Sequence, residues 1–456
     1  MMMTSQQSRR AFLKRSSALG IVGAASPFVM NLAAIGEAAA ATASDYKALV
    51  CIFLFGGNDY ANTLPPYDTT NYNAYFNNRK TLAYLQPDLA ATVLNPVTPL
   101  PGGRQFALAP ALAPLLPIFN AGKMAVMLNV GTLVQPTTKA QYIAKSVALP
   151  PKLFSHNDQQ SYWQASSPEG ASSGWGGRIG DLLQSGNGTA TLTCINASGN
   201  AVFLSGRQAV QYAVGATGPI PLAANATLFG SAAGSTALKS LMTSPPANLF
   251  GSEHSAVAKR SLDLYAQVSS ALTGAPTLAT AFPATNLGTQ LKIIANLISV
   301  SSQMGAKRQV FFASTGGFDL HDSLAANEPG LLAGIAAALQ SFYAATVELG
   351  VSNQVTSFTA SDFGRTLLSN TDGADHGWGS MHFVVGGAVQ GRQIYGAPPV
   401  FANNGPDDVG QGRLLPTMSV DQYAATMASW FGVSDTNMPT VLPNIPNYTT
   451  KNIGFI

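Results

Sequence analysis

Apolar residues fall into two patterns along this chain. Ala48 to Phe55 (A-L-V-C-I-F-L-F) and Met124 to Val130 (M-A-V-M-L-N-V) are nearly unbroken apolar runs. Such runs are expected of central strands that helices cover on both faces. Further on, Leu291, Ile294, Leu297, Ile298 and Met304 are spaced for a helix, as are Leu332, Ile335, Ala336, Leu339, Phe342 and Tyr343 within 331–349. Strand-like runs follow them at Gln309 to Ala313 and Val355 to Thr359. Helix, strand and loop in repetition predict βαβ units, hence an α/β fold of three layers: a mostly parallel sheet with helices on both faces. The loops that bind ligands should then gather at the carboxyl ends of the strands.

The other segments fit around this frame. Residues 60–122, rich in Pro, Asn and Tyr, read as a wandering surface stretch that ends in a helix around Pro110 to Asn120. In F-S-H-N-D-Q-Q-S-Y-W, Ser155 and Asp158 have the spacing of a capping-box variant, so a short helix is expected to start there. Its first turn would present backbone N–H groups and a positive dipole end. Residues 166–290, dominated by Ala, Gly, Ser and Pro, read as an insertion or lid. Helices at Ile179 to Leu183 and Ala256 to Leu272 and a strand at Thr191 to Asn196 are expected within it. A helix over Asp421 to Phe431 closes the chain. With 456 residues, length alone allows one large domain or two.

Charge and cysteine content narrow the setting. Ser8-Arg9-Arg10-Ala11-Phe12-Leu13-Lys14 precedes a mildly apolar stretch, Ala18 to Ile35, and a small-residue run, Ala38 to Ala43. This resembles a twin-arginine export signal over residues 1–43, leaving residues 44–456 as a single domain in the periplasm or outside the cell. Gly, Ser, Pro and Asn in the apolar stretch disfavour a stable membrane span. Removing Arg9, Arg10, Lys14, Arg15 and Glu37 with the signal leaves basic and acidic residues in balance. With no basic run left, nucleic acid is not an expected partner. Cys51 and Cys194 both sit in apolar runs, compatible with a disulfide or with two buried thiols.

Chemistry concentrates late in the chain. Of the five histidines, His376 and His382 lie in D-H-G-W-G-S-M-H and His321 closes G-G-F-D-L-H, while Asp362 and Arg365 lie in S-D-F-G-R-T. Earlier, Asp59 ends a strand at G-G-N-D, and His156 follows Ser155. Acids and imidazoles at strand ends supply the lone pairs of a metal site with one open face. Each has a plainer alternative: Asp59 as a turn residue, Ser155 as a helix cap, Arg365 in a structural ion pair. His254, with only Glu253 beside it, reads as a surface histidine.

Strand-G-G-N-D, S-H-x-D, G-G-F-D-x-H, S-D-F-G-R-T and D-H-G-W-G-x-x-H, in that order, resemble the uncharacterised DUF1501 family over nearly all of the mature chain. That family in turn resembles the alkaline phosphatase and sulfatase superfamily. The resemblance implies an alkaline-phosphatase-like fold and an exported, metal-dependent hydrolase of phosphate or sulfate esters. Asp59, Asp319, His321, Asp362 and either His376 or His382 would be metal ligands, with Ser155, His156 or Asp158 near the nucleophile position and Arg365 on a substrate oxygen. Mixed Asp/His ligation suits Zn or Mn, and an all-oxygen second site would suit Mg or Ca. Phe363 stands where most metal-binding relatives have His, so that second site lacks the imidazole the resemblance would supply. The alternative is a non-catalytic exported binding or assembly protein, for a cell-surface polymer or protein partner, that keeps the fold and a metal.

Overall fold

The computed structural model describes residues 45–222 and 227–456; the export signal expected over 1–43 lies outside them. Among the described residues, twelve strands occur in chain order: β1 Lys47–Leu54, β2 Met124–Gly131, β3 Cys194–Asn196, β4 Gln211–Gly215, β5 Gly218–Pro219, β6 Arg308–Thr315, β7 Val355–Ser361, β8 Arg365–Ser369, β9 Ala374–His376, β10 Ser380–Gly386, β11 Gln393–Tyr395 and β12 Met418–Ser419. Ten form one sheet in the order β11-β2-β10-β7-β1-β6-β3-β4-β5, with β12 also on β2, while β8 and β9 make a separate hairpin. β1 lies at the centre, parallel to both β6 and β7, and β3 and β4 continue the parallel run. β10 is antiparallel to both its neighbours, β2 and β7. The fold is therefore α/β with a mostly parallel sheet.

The two apolar runs behave as their composition requires, β1 at the centre of the sheet and β2 one strand in from its edge. β1 and β2 are buried along essentially their whole length. Alternate side chains feed two cores: Val50, Ile52 and Leu54 join Leu291, Ile294 and Leu339 on one face, and Leu49, Cys51 and Phe53 join Trp175, Phe203 and Tyr423 on the other. The helices Asn286–Ser299 and Leu324–Glu348 start earlier than the apolar spacing alone suggested. Leu324–Glu348 is long and apolar enough to cross a membrane, but its Leu332, Ile335, Leu339 and Phe342 pack in the first core. Pro110–Asn120 divides into a 3₁₀ segment and a short α-helix, consistent with Pro114 and Pro117 removing backbone donors.

The stretch 166–290 is not wholly an insertion. It contributes β3, β4 and β5 to the central sheet; the helix Leu249–Thr273 packs on β5 and sends Leu264, Val268 and Ala271 into the first core, and the helix Ala232–Thr243 packs against it. β3 lies within the strand expected at Thr191 to Asn196, whereas β4 and β5, of five and two residues, are too short for their periodicity to show against a glycine- and serine-rich background. Cys51 and Cys194 are free, buried thiols, and burial pushes both thiol pKa values up.

Candidate metal centre

The carboxyl ends of β1, β6 and β7 lie side by side, and the site is built where their loops emerge. Gly56 follows β1 with φ +115°, and a Cβ there would fall 2.4 Å from the Asp319 backbone nitrogen. Glycine thus lets the loop after β6 close over the end of β1, bringing Asp319 and His321 to the sheet edge. Asp362 follows β7 directly. Because β10 runs against its neighbours, the segment before it, with His376 at the end of β9, reaches the same edge. His156 opens the helix His156–Ala165.

Three of the expected ligands, Asp319, His321 and His376, converge, and they are met by His156, which was expected near the nucleophile position. His156 Nε2 lies 3.0 Å from His376 Nε2 and 3.3 Å from Asp319 Oδ2. His376 Nε2 is 3.3 Å from Asp319 Oδ1. His321 Nε2 is 2.9 Å from His376 Nε2 and 3.0 Å from Asp319 Oδ1. Among the described residues, His156, Asp319 and His376 form one group whose donor atoms all lie within 4.8 Å of one another and could hold a metal ion. His321 joins two of its members from the side.

The opposite nitrogen of every ring is engaged by an oxygen. His376 Nδ1 donates to the Phe154 carbonyl at 2.8 Å, His156 Nδ1 to Asp362 Oδ2 at 2.6 Å, and His321 Nδ1 to Asp375 Oδ1 at 3.2 Å. A carbonyl or carboxylate oxygen only accepts, so each neutral ring carries its proton on Nδ1 and a lone pair on Nε2. The Nε2 lone pairs of His156 and His376 and the Asp319 carboxylate then form one donor group, with His321 Nε2 against two of its members. A single added proton could satisfy one of the two nitrogen–nitrogen contacts, whereas a shared divalent cation satisfies both. Tetrahedral ligation with bonds of about 2.0–2.1 Å places neighbouring donors about 3.3 Å apart, close to these separations. Holding a ligand imidazole through its other N–H is also the usual support of a metal site.

The surrounding groups set the charge. Burial raises the Asp319 carboxyl, but the Arg365 hydrogen bond at 2.8 Å and its positive charge outweigh this and hold the pKa at about 2. The hydrogen bond to Asp362 raises the pKa of His156 against the opposing effect of burial. For His376 burial dominates, and its pKa is lowered. Asp362 is fully buried, and its Oδ2 also accepts from Gln160 Nε2 at 2.8 Å and from the Gly56 amide at 3.1 Å.

Asp362 therefore orients His156 and does not itself join the donor group. Gln160, one helical turn beyond His156, is a site residue that no motif in the sequence singles out. Its signal was the i, i+4 spacing from His156, which places both side chains on one helix face.

Two expected ligands are elsewhere. Asp59 caps the helix Tyr60–Thr63 through the amides of Ala61 and Asn62 and forms a buried ion pair with Arg79, which occupies both carboxylate oxygens. His382 is not in a loop. It lies within β10, fully buried against Trp163 and Tyr423, and contacts Thr359 Oγ1 at 3.2 Å.

Two further expectations change in detail. Ser155 is the helix N-cap, but its hydroxyl donates to Asp158 Oδ2 at 3.0 Å and does not accept from the helix, so no capping box forms. Arg365 is fully buried and donates to Gly56 O, Ala374 O and Asp319, which turns it away from the role of binding a substrate oxygen. Phe363, also buried, lies with its ring centroid 4.8 Å from those of both His156 and His376, packing against the cluster as a hydrocarbon wall.

The side chains of Asp319, His321 and Asp375 are 44–47% exposed, against 26% and 25% for His156 and His376, so one flank of the cluster opens to solvent. A cleft of about 460 Å³ lined by Leu133, Lys139 and Tyr448, among others, shares no residue with the cluster.

No curated protein matches this chain. Among solved structures it is similar to a protein crystallised in complex with k-i-k-neocarrahexaose, at 10% identity and a TM-score of 0.35, covering 89% of this chain and 77% of that one. It is also similar to a protein from a Bacteroides thetaiotaomicron locus for the metabolism of multiple glycosaminoglycans, at 9% identity and a TM-score of 0.32, covering 86% and 74%. The family model described as "Protein of unknown function (DUF1501)" matches residues 46–440, and the chain belongs to that family.

Proposed function

We propose that this chain is an exported metal-dependent hydrolase of phosphate or sulfate esters. The observation that carries the reading is the meeting of three imidazole Nε2 lone pairs and the Asp319 carboxylate on the open edge of the sheet. Three nitrogens and one carboxylate favour Zn or Mn over Mg or Ca. When bound, such an ion supplies Lewis-acid polarisation of an ester oxygen and a more acidic water.

The chain's own residues prepare the site. Arg365 keeps Asp319 ionised and fixes one of its oxygens. Asp362, Phe154 O and Asp375 hold the three rings with Nε2 turned inward. The Ser155 hydroxyl accepts no bond from the amides of the helix it caps, and the positive end of His156–Ala165 lies beside the cluster, which favours an anionic group there. Because the Ser155 hydroxyl is directed to Asp158, water is the nucleophile this arrangement favours.

Export through the twin-arginine machinery to the periplasm or cell exterior is supported by Ser8-Arg9-Arg10 and the small-residue run after it.

The test is elemental analysis of the purified 44–456 chain together with hydrolysis of aryl phosphate and aryl sulfate esters. About one Zn or Mn ion per chain is expected, lost with turnover in Asp319→Ala and His376→Ala. A chain that binds no metal, or variants that keep it, would remove the reading. A second reading, a non-catalytic protein that binds a metal for assembly or ligand capture, is favoured by one observation: with His321 included, the protein itself supplies four donors, the complement of a closed structural site. A stoichiometric metal without turnover on either ester class would support it.

A further inference from the structure

The four donors are not held alike. His156 is fixed by Asp362 at 2.6 Å, a fully buried carboxylate that Gln160 and the Gly56 amide hold in turn. His376 is fixed at 2.8 Å by a main-chain carbonyl. His321 has the longest anchor, 3.2 Å to Asp375 Oδ1, an exposed carboxylate oxygen that Asn370 Nδ2 also occupies at 2.7 Å. It is the most exposed of the three imidazoles and touches two of the other three donors.

Its backbone, by contrast, is well seated. The Leu320 carbonyl accepts from the Ala374 amide at 3.1 Å, and the Leu324 amide donates to the Asp372 carbonyl at 2.9 Å. The peptide of His321 packs so closely on Gly373 that a Cβ there would lie 2.1 Å from its carbonyl carbon. The loop is thus tied to the β8–β9 turn, and what is left free to move is the ring. Exposed side chains change rotamer rapidly compared with loop or domain motion.

We infer that His321 is the exchangeable donor of the cluster. Its ring turns out to solvent and leaves its corner to a tetrahedral oxyanion, while His156, Asp319 and His376 retain the ion. This rests on the cluster binding a metal, and it reconciles four protein donors with a site open to substrate, since catalytic metal sites keep one position for a ligand. It also assigns the exposed flank, formed by His321, Asp375 and Asp319, as the side from which the anion enters.

The experiment uses the 44–456 chain loaded with zinc, and with cobalt for its absorption spectrum, with inorganic phosphate and sulfate as probes. His321→Ala should retain one ion per chain with affinity lowered no more than about tenfold, whereas His376→Ala should lose more than about a hundredfold. Phosphate should bind the His321→Ala cobalt protein about tenfold more tightly than wild type, because no ring has to leave, corresponding to about 1.4 kcal/mol. His321→Gln, of similar bulk, should behave like His321→Ala. If His321→Ala loses the ion as fully as His376→Ala, or keeps it with unchanged phosphate affinity, the inference is overturned while the metal-site reading stands. A wild-type chain that takes up no metal overturns both. Unchanged thermal melting of the metal-free variants separates a site effect from misfolding.

Discussion

His156 Nδ1 and Asp362 Oδ2 stand 2.6 Å apart, although 206 positions separate the two residues in the chain. The pair joins the first turn of a helix to the end of a central strand. It also fixes the tautomer that points the His156 Nε2 lone pair toward Asp319 and His376.

Replacing Asp362 with Asn should therefore weaken metal binding without removing a direct ligand. The amide can present its N–H₂ to His156 Nδ1, which turns the ring proton toward the cluster. A loss of about 10–100-fold in zinc affinity is expected, measured by competition with a chromogenic chelator. An unaltered affinity would mean that His156 is oriented by something other than this carboxylate.

Asp59 and Asp319 were alike as sequence-level ligands, and they should now behave oppositely. Asp59→Ala strands the buried Arg79 guanidinium, so a destabilisation of about 3–5 kcal/mol is expected from urea denaturation, with metal content per folded chain unchanged. In Asp319→Ala the metal should go. Loss of metal from a well-folded Asp59→Ala protein would return Asp59 to the site.

His382 gives the fold a dependence on pH. Burial pushes its pKa down from 6.5 to about 3, so it stays neutral in the folded chain while an unfolded histidine titrates near its ordinary value. The unfolded state then binds more protons between those two values. Its contribution to stability is fully present above about pH 6.5 and is lost progressively as pH falls toward about 3. From pH 7 to pH 4 this amounts to about 3 kcal/mol. In urea titrations at the two pH values, His382→Gln should lose less stability over that interval than wild type. Parallel losses in the two proteins would show that this ring does not set the acid sensitivity.

Much of the architecture was legible because burial on both faces imposes continuous apolar runs, as at Ala48 to Phe55, and because a helix on a core imposes three-four spacing, as at Leu332 to Tyr343. The acids and imidazoles were legible as a set, since few residue types donate lone pairs and here they follow strands. Membership of the site was not legible. Asp59 and Asp319 both follow a strand and glycines, but Arg79 lies beside Asp59 and Arg365 beside Asp319, and only the latter carboxylate is left facing the imidazoles.

The sequence by itself determined a mostly parallel α/β sheet, its two buried apolar strands, and a short roster of residues able to hold a cation. The tertiary structure decided which of them meet. His382 is turned inward because a residue within β10 must place its side chain on one face of the sheet or the other, and the face it takes is packed by Trp163 and Tyr423. His156 is brought to the site by a loop and a helix start whose direction no periodicity encodes. Spacing along a chain reports local geometry, whereas ligation depends on distances that contacts between remote segments set.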